Sequence, residues 1–260
     1  MKSAATIRAG GWLVAPRPAT APCVRLICFP HAGGGAFGFS AWAEHMPPHA
    51  ELLAVQLPGR ESRFRETAAD DARALTAQLV EAITPELDRP YVLFGHSMGA
   101  LLAYTVAAAI LGGGDHCAPS ALVVSASPPP CGPRADDVDA APPSDETLIR
   151  LLKDGGGADP RLLESPQLLR WILPVLRADI RLARSLAARP RSALPLRMIA
   201  VAGRDDAGAG PPAAEAWRPL CGGDFRALAV PGGHFYFQRD IRPLMTLLSG
   251  LLADAGSAFD

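Results

Sequence analysis

The sequence predicts an α/β fold: a mostly parallel sheet covered on both faces by helices. Three observations carry this. Short continuous apolar runs, bounded by proline or glycine, recur along the chain, as they do in strands buried on both faces. Segments of helical period separate them, the alternation a parallel sheet needs. One strand-like run passes through a Gly-x-Ser-x-Gly string straight into an apolar helix-like run. At 260 residues the chain fits a single domain over 1–260.

The elements follow in order. Val24–Phe29 (VRLICF), stopped by Pro30, is a buried strand. A glycine-rich loop, HAGGGAFG, leads to a short helix around 40–46. Residues 52–57 form the second strand, ended by the turn signal Pro58-Gly59. A helix over 70–87 places Leu75, Leu79, Val80 and Ile83 on one face. Residues 91–94 are the third strand. Residues 98–111, apolar on nearly all sides, are a buried helix stopped by glycines 112–114. Ala121–Ser125 is the fourth strand. Residues 196–201 and Phe225–Val230 supply two more around a helix near 213–217, and a helix over 239–253 closes the chain.

One segment breaks the alternation, since no strand signal lies between Cys131 and Pro195. Ser144 caps a helix running through Lys153. Ser165, followed by Pro166 at the first helical position, opens a long helix to about Ala188 with a kink at Pro174. A helical insertion over about 131–194 sits where a lid would. Residues 1–10 read as a loose end.

Composition excludes several function classes. Twenty-five Lys+Arg against 26 Asp+Glu leave a net charge of −1, which excludes a globally electrostatic nucleic-acid binder. The longest apolar stretch, 98–111, falls short of the roughly 20 residues of a membrane span. Five cysteines without a CxxC pair argue against a disulfide framework and for a reducing compartment. Cys28, in an apolar run, is expected to be a buried thiol. The apolar patch at 12–15 is too short for a signal peptide, so a cytoplasmic location is expected.

The chemistry centres on Ser97. Gly95-His96-Ser97-Met98-Gly99, after a strand and before a helix, is a nucleophile elbow. Its sharp turn demands small residues on either side of the serine, and the helix behind it faces a developing oxyanion with partial positive charge. Serine needs a base. In this arrangement the acid follows in the chain, then the histidine. Asp205 and Asp206 follow the strand ending at Gly203, and His234 follows the last strand. All would lie at the sheet edge that carries Ser97. The oxyanion hole needs two backbone N–H groups, assigned to Met98 and to Ala32 of the HAGGG loop.

The other histidines read differently. His96 is a structural neighbour of the serine. His45 and His49 have a metal-like i, i+4 spacing, but Pro47 and Pro48 break any helix there. His116 reads as solvated. His31 either touches substrate or caps the turn. Gly33, Gly35 and Gly38 also spell GxGxxG, yet the second strand ends without the acid a dinucleotide site wants.

LICFPHAGGGAFGFSAW, AVQLPGRESR, LFGHSMGALLAY and PGGHFYF, in this order and spacing, resemble the type II thioesterases of polyketide and nonribosomal peptide synthesis, over about residues 24 to 250. The resemblance implies an α/β-hydrolase fold with a helical lid. It implies hydrolysis of acyl thioesters from the phosphopantetheine arm of acyl or peptidyl carrier domains, clearing stalled groups. It implies a triad of Ser97, Asp206 and His234, Asp206 matching the fourth position of the family's Gly-x-x-Asp loop. Ala207 stands where the family commonly has proline. No metal or cofactor of the protein's own is expected, since phosphopantetheine belongs to the partner. If Met1 is the true start, the chain is discrete rather than fused to a synthase. The alternatives are a product-releasing thioesterase, a small-ester esterase on the same fold, and a non-catalytic protein that docks on a synthase.

Residues 165–197 carry seven arginines against one acid, Asp179. On a helix Arg170, Arg177, Arg181 and Arg184 fall within an arc of about 60°. Leu169, Ile172, Leu173, Leu176 and Ile180 form an apolar stripe to one side. The arginine edge, Arg177 and Arg181 foremost, is the expected docking surface for an acidic carrier domain and its phosphate.

Overall fold

The structure is a computed structural model and describes residues 5–114, 117–132, 141–156, 160–189 and 192–257. His116 and Arg191, for which the sequence carried expectations, lie outside the described residues, as do 1–4 of the expected loose end and 133–140 of the expected lid.

Among the described residues eight strands form one sheet: β1 (Thr6–Arg8), β2 (Leu13–Ala15), β3 (Val24–Phe29), β4 (Ala50–Val55), β5 (Tyr91–His96), β6 (Ala121–Ser125), β7 (Met198–Gly203) and β8 (Phe225–Val230). Their order is β1-β2-β4-β3-β5-β6-β7-β8. The six strands from β3 onward pair in parallel. The helices are α1 (Ala72–Ile83), α2 (Met98–Gly112), α3 (Asp145–Gly155), α4 (Pro160–Leu163), α5 (Pro166–Ala187), α6 (Pro211–Glu215), α7 (Tyr236–Arg239) and α8 (Arg242–Ser257).

Strand alternation divides the core. Ile27 and Phe29 of β3 join a cluster with α1, α2 and Leu182 and Leu186 of α5. Leu26 and Cys28 join the opposite cluster, with Phe39, Trp42 and the Leu248 face of α8. The Cys28 thiol is wholly buried, and burial pushes its pKa up. Trp217 is fully buried, and its Nε1 donates to the Ser127 carbonyl at 2.7 Å, which satisfies the one polar atom that burial would strand.

The N-terminal expectation is corrected. Residues 6–10 are no loose end: they form β1 and the turn into β2, and the antiparallel β1–β2 hairpin extends the sheet, β2 pairing with β4. Its turn holds Ala9, Gly10 and Gly11 at positive φ, where glycine is strain-free. Arg8 anchors it through paired hydrogen bonds to Glu51 at 2.8 and 2.9 Å. The short helix expected near 40–46 is a 3-10 helix at Ala36–Glu44. The closing helix is divided by Asp240, whose extended backbone ends α7 and whose carboxylate accepts from the Arg242 N–H at 3.1 Å.

Helices α3, α4 and α5 lie between β6 and β7 in the chain. Ser144 and Ser165 cap α3 and α5, each accepting a backbone N–H at 3.3 Å. Helix α5 runs on through the exposed Pro174. Leu173 and Leu176 pack with Leu148 of α3 and reach Ala32 of the glycine loop. Ile180 and Leu169 border this contact, while Ile172 is half-buried, so the stripe predicted from sequence faces inward.

Candidate active site

The parallel strands all present their C-terminal ends on one edge, where an open α/β sheet builds its site. At the end of β5, Ser97 takes φ 55° and ψ −120°, a region costly for any side chain. Space dictates its neighbours. A Cβ on Gly95 would lie 2.0 Å from the Gly99 carbonyl oxygen, and one on Gly99 would lie 2.2 Å from the Phe29 carbonyl oxygen. The Ser97 N–H donates to the Ser125 carbonyl at 2.8 Å, pinning the turn to β6. The result is a half-buried hydroxyl held above the sheet at the start of α2.

Asp206 and His234 come from the loops after β7 and β8. Their approach again needs glycine: a Cβ on Gly203 would lie 2.2 Å from the Gly233 carbonyl oxygen. His234 Nδ1 donates to Asp206 Oδ2 at 2.7 Å. The Asp206 side chain is 5% exposed, and its Oδ1 accepts the Gly208 and Ala209 N–H groups, both at 3.0 Å. The carboxylate is thus aimed, and the bond leaves His234 Nε2 as the free basic atom. Asp205 points elsewhere: it is exposed, and its contribution to the loop is an N–H donated to the Gly232 carbonyl. Among the described residues the Ser97 hydroxyl has no hydrogen-bond partner, a looseness common to catalytic serines before substrate binds.

Two more histidines stand beside this pair, and both are held neutral. His96 is buried under the elbow, its Nδ1 2.9 Å from Ser125 Oγ, which in turn lies 2.8 Å from the Tyr236 hydroxyl. Burial pushes its pKa well down, assisted by His31 and His234. The His31 carbonyl accepts from the Gly34 N–H at 3.0 Å, closing the turn, while its ring stacks edge-on against Phe235 at 4.8 Å. Burial, then His234 and Arg60, push the His31 pKa from 6.5 down to about 4. The folded chain therefore binds fewer protons than the unfolded chain between those values, so His31 makes stability fall as pH drops from 6.5 towards 4. Thermal melts at about pH 7.5 and about pH 5 will show a larger loss in the native chain than in His31→Phe, which keeps the ring packing; equal losses would contradict it.

The glycine loop is supported by residues that sequence reasoning left without a role. Gln56 Oε1 accepts the Ala36 N–H at 3.2 Å, and the Glu61 carboxylate accepts the Phe37 N–H at 3.1 Å. Arg60 is buried and makes a bidentate pair with Asp179 of α5, at 2.6 and 2.8 Å. The signals were there: Gln56, Arg60 and Glu61 all stand in AVQLPGRESR, and Asp179 is the single acid of an arginine-rich segment. Ala32 is half-buried and Met98 begins α2. Among the described residues no group accepts the N–H of either, so both donors are available to an oxyanion. A cavity of about 380 Å³, lined by Gly33, Arg60, Glu61, Phe64, Trp171 and Val175, opens beside this loop under α5.

The two docking candidates make contacts within the chain. Arg177 donates to the Pro143 carbonyl at 3.1 Å and pairs with Asp145 at the start of α3. Arg181 pairs with Asp70 at 3.1 Å and is 48% exposed. Among the described residues no cluster of three His, Cys, Asp or Glu could hold a metal, and no helix is long and apolar enough to cross a membrane.

A parallel sheet with flanking helices, a strained serine at a strand-to-helix elbow, and a carboxylate-oriented histidine on the last strand loop define a hydrolase of the α/β-hydrolase fold. The thioesterase domain family model matches residues 24–245. The chain is 33% identical over 244 residues to a probable cadicidin biosynthesis thioesterase of Streptomyces griseus, covering 94% of this chain and 66% of that one. It is 34% identical to the thioesterase PikA5 of Streptomyces venezuelae, covering 88% of this chain and 81% of that one. The solved structure of the type II thioesterase BorB, from the borrelidin biosynthetic cluster, superposes with a TM-score of 0.83 at 33% identity, covering 95% of this chain and 99% of that one. The chain belongs to the thioesterase family.

Proposed function

We propose that the protein is an editing, type II thioesterase that removes acyl groups from the phosphopantetheine arm of acyl or peptidyl carrier domains in polyketide or nonribosomal peptide synthesis. The observation that carries the chemistry is the Asp206–His234 bond at 2.7 Å on the same sheet edge as the strained Ser97. Similarity to a probable cadicidin biosynthesis thioesterase and to a type II thioesterase of the borrelidin biosynthetic cluster supports the substrate class.

The geometry supports the following route. His234 Nε2 takes the Ser97 proton as Oγ attacks the thioester carbonyl, and Asp206 stabilises the imidazolium that forms. The N–H groups of Ala32 and Met98 bind the tetrahedral oxyanion. The intermediate collapses, the carbon–sulfur bond breaks, and the arm leaves as its thiol with the proton from His234. Water, deprotonated by the same histidine, then cleaves the acyl-serine. The protein contributes no cofactor to this route. Helices α3–α5, which fall within the insertion expected over about 131–194, act as the lid of a single-domain enzyme, with Leu173 and Leu176 against Ala32 of the glycine loop.

The test compares turnover of one acyl group presented on a carrier domain and as a simple oxygen ester. Preference for the carrier thioester is expected. Preference for the oxygen ester would favour a small-ester esterase instead.

Arg177 and Arg181, on the outer edge of α5, are proposed to receive the acidic carrier and its phosphate. Their present partners are no obstacle, since exposed ion pairs are worth only about 0–1 kcal/mol and phosphate accepts the guanidinium fork well. Charge reversal at both should raise KM for an acyl-carrier protein about tenfold and weaken its salt dependence, with little change for a small acyl-cysteamine thioester. Equal loss on both substrates would show that these arginines only hold α3 and α5 in place.

A further inference from the structure

Asp179 is the one carboxylate in the basic stretch of α5, and it is wholly buried. Its Oδ2 accepts the Gly33 N–H at 2.7 Å. Arg60 clamps it from the other side, and the same Arg60 Nη1 donates to the Gly34 carbonyl at 3.0 Å. An acid and a base 119 positions apart in sequence thus grip two consecutive residues of the glycine loop.

Those residues belong to one turn. The Gly34 N–H closes it onto the His31 carbonyl, and Gly33, in its third position, stands at φ +78°. That is the pattern of a type II turn, which needs glycine there. The central peptide of such a turn, here Ala32–Gly33, is the one free to flip between type II and type I. Its N–H is the group Asp179 holds. Leu176, one turn earlier on α5, seals the same spot: its Cδ1 would be 3.5 Å from a Cβ on Gly33.

We propose that Asp179 is a positioning residue for the oxyanion hole, and that α5 assembles the hole when it seats on the loop. By gripping the Gly33 N–H and, through Arg60, the Gly34 carbonyl, Asp179 fixes the shape and seat of the turn, and with it the place of the Ala32 N–H that the turn carries. Arg60 compensates the carboxylate, so the anchor adds no net negative charge beside a developing oxyanion. The lid helix therefore acts as part of the electrostatic machinery as well as a cover. This rests on Ala32 as an oxyanion donor, as proposed above.

Removing one charge alone would leave its partner buried and unpaired, which endangers the fold. The test therefore compares two charge-free pairs, Arg60→Met/Asp179→Asn and Arg60→Met/Asp179→Leu. Asparagine keeps an oxygen for the Gly33 N–H; leucine does not. With a small acyl-cysteamine thioester, the leucine pair should lose about 10²-fold in kcat while KM stays within about threefold, as for loss of an oxyanion donor. The asparagine pair should recover at least about tenfold of that loss at similar thermal stability. If the leucine pair does not fold, placing glycolate at position 33 deletes the N–H alone and should cost kcat to the same extent. Equal kcat in the two folded pairs, or native kcat with glycolate at 33, would overturn the proposal while leaving the thioesterase reading intact. A native chain inactive on the thioester would overturn both.

Discussion

Ser97→Ala is expected to abolish thioester hydrolysis, lowering kcat by about 10⁴-fold or more, because it removes the atom that forms the covalent intermediate. The fold should survive. Among the described residues the Ser97 hydroxyl holds nothing in place, and the elbow is set by the glycines and by the Ser97 N–H bond to Ser125. Activity assays with a melting curve check both halves. Retention of more than about a hundredth of the native rate would remove Ser97 from the mechanism.

Asp206→Asn should cost roughly 10⁴-fold in kcat, because an amide donates a proton where the carboxylate accepted one. It would favour the His234 tautomer with its proton on Nε2, the atom that must act as base. Asp205→Asn should stay within about twofold of native, as an exposed acid whose backbone alone serves the loop. The two variants measured side by side decide between neighbours in sequence. A crippled Asp205→Asn beside a near-native Asp206→Asn would contradict the bond seen at 2.7 Å.

Much of this was legible in the sequence, for physical reasons. Strands β3 to β7 are buried parallel strands, so most show as apolar runs, while β8, at the sheet edge, is only partly buried. The elbow was legible because its residues stand together in one short string between a strand and a helix, although only Gly95 is dictated from within that string, by the Gly99 carbonyl, and Gly99 is dictated by the Phe29 carbonyl of β3. Strands β1 and β2 were not, since three residues are too few to show a period and their signal is the pairing itself. The support of the glycine loop was not legible either. Arg60 and Asp179 meet only after α5 folds back over the sheet, and the charge pattern of α5 showed an acid without its partner. The arginine edge shows the same limit. Asp145 and Asp70, which pair with Arg177 and Arg181, come from distant parts of the chain.

The most direct test of the central claim is mass spectrometry of an acyl-carrier protein mixed with the enzyme and quenched at short times. The account predicts that the carrier returns to its free phosphopantetheine thiol while the peptide containing Ser97 transiently gains the acyl mass. With Ser97→Ala, neither change should occur. A carrier that keeps its acyl group in the presence of native enzyme, while a simple oxygen ester is consumed, would contradict the account.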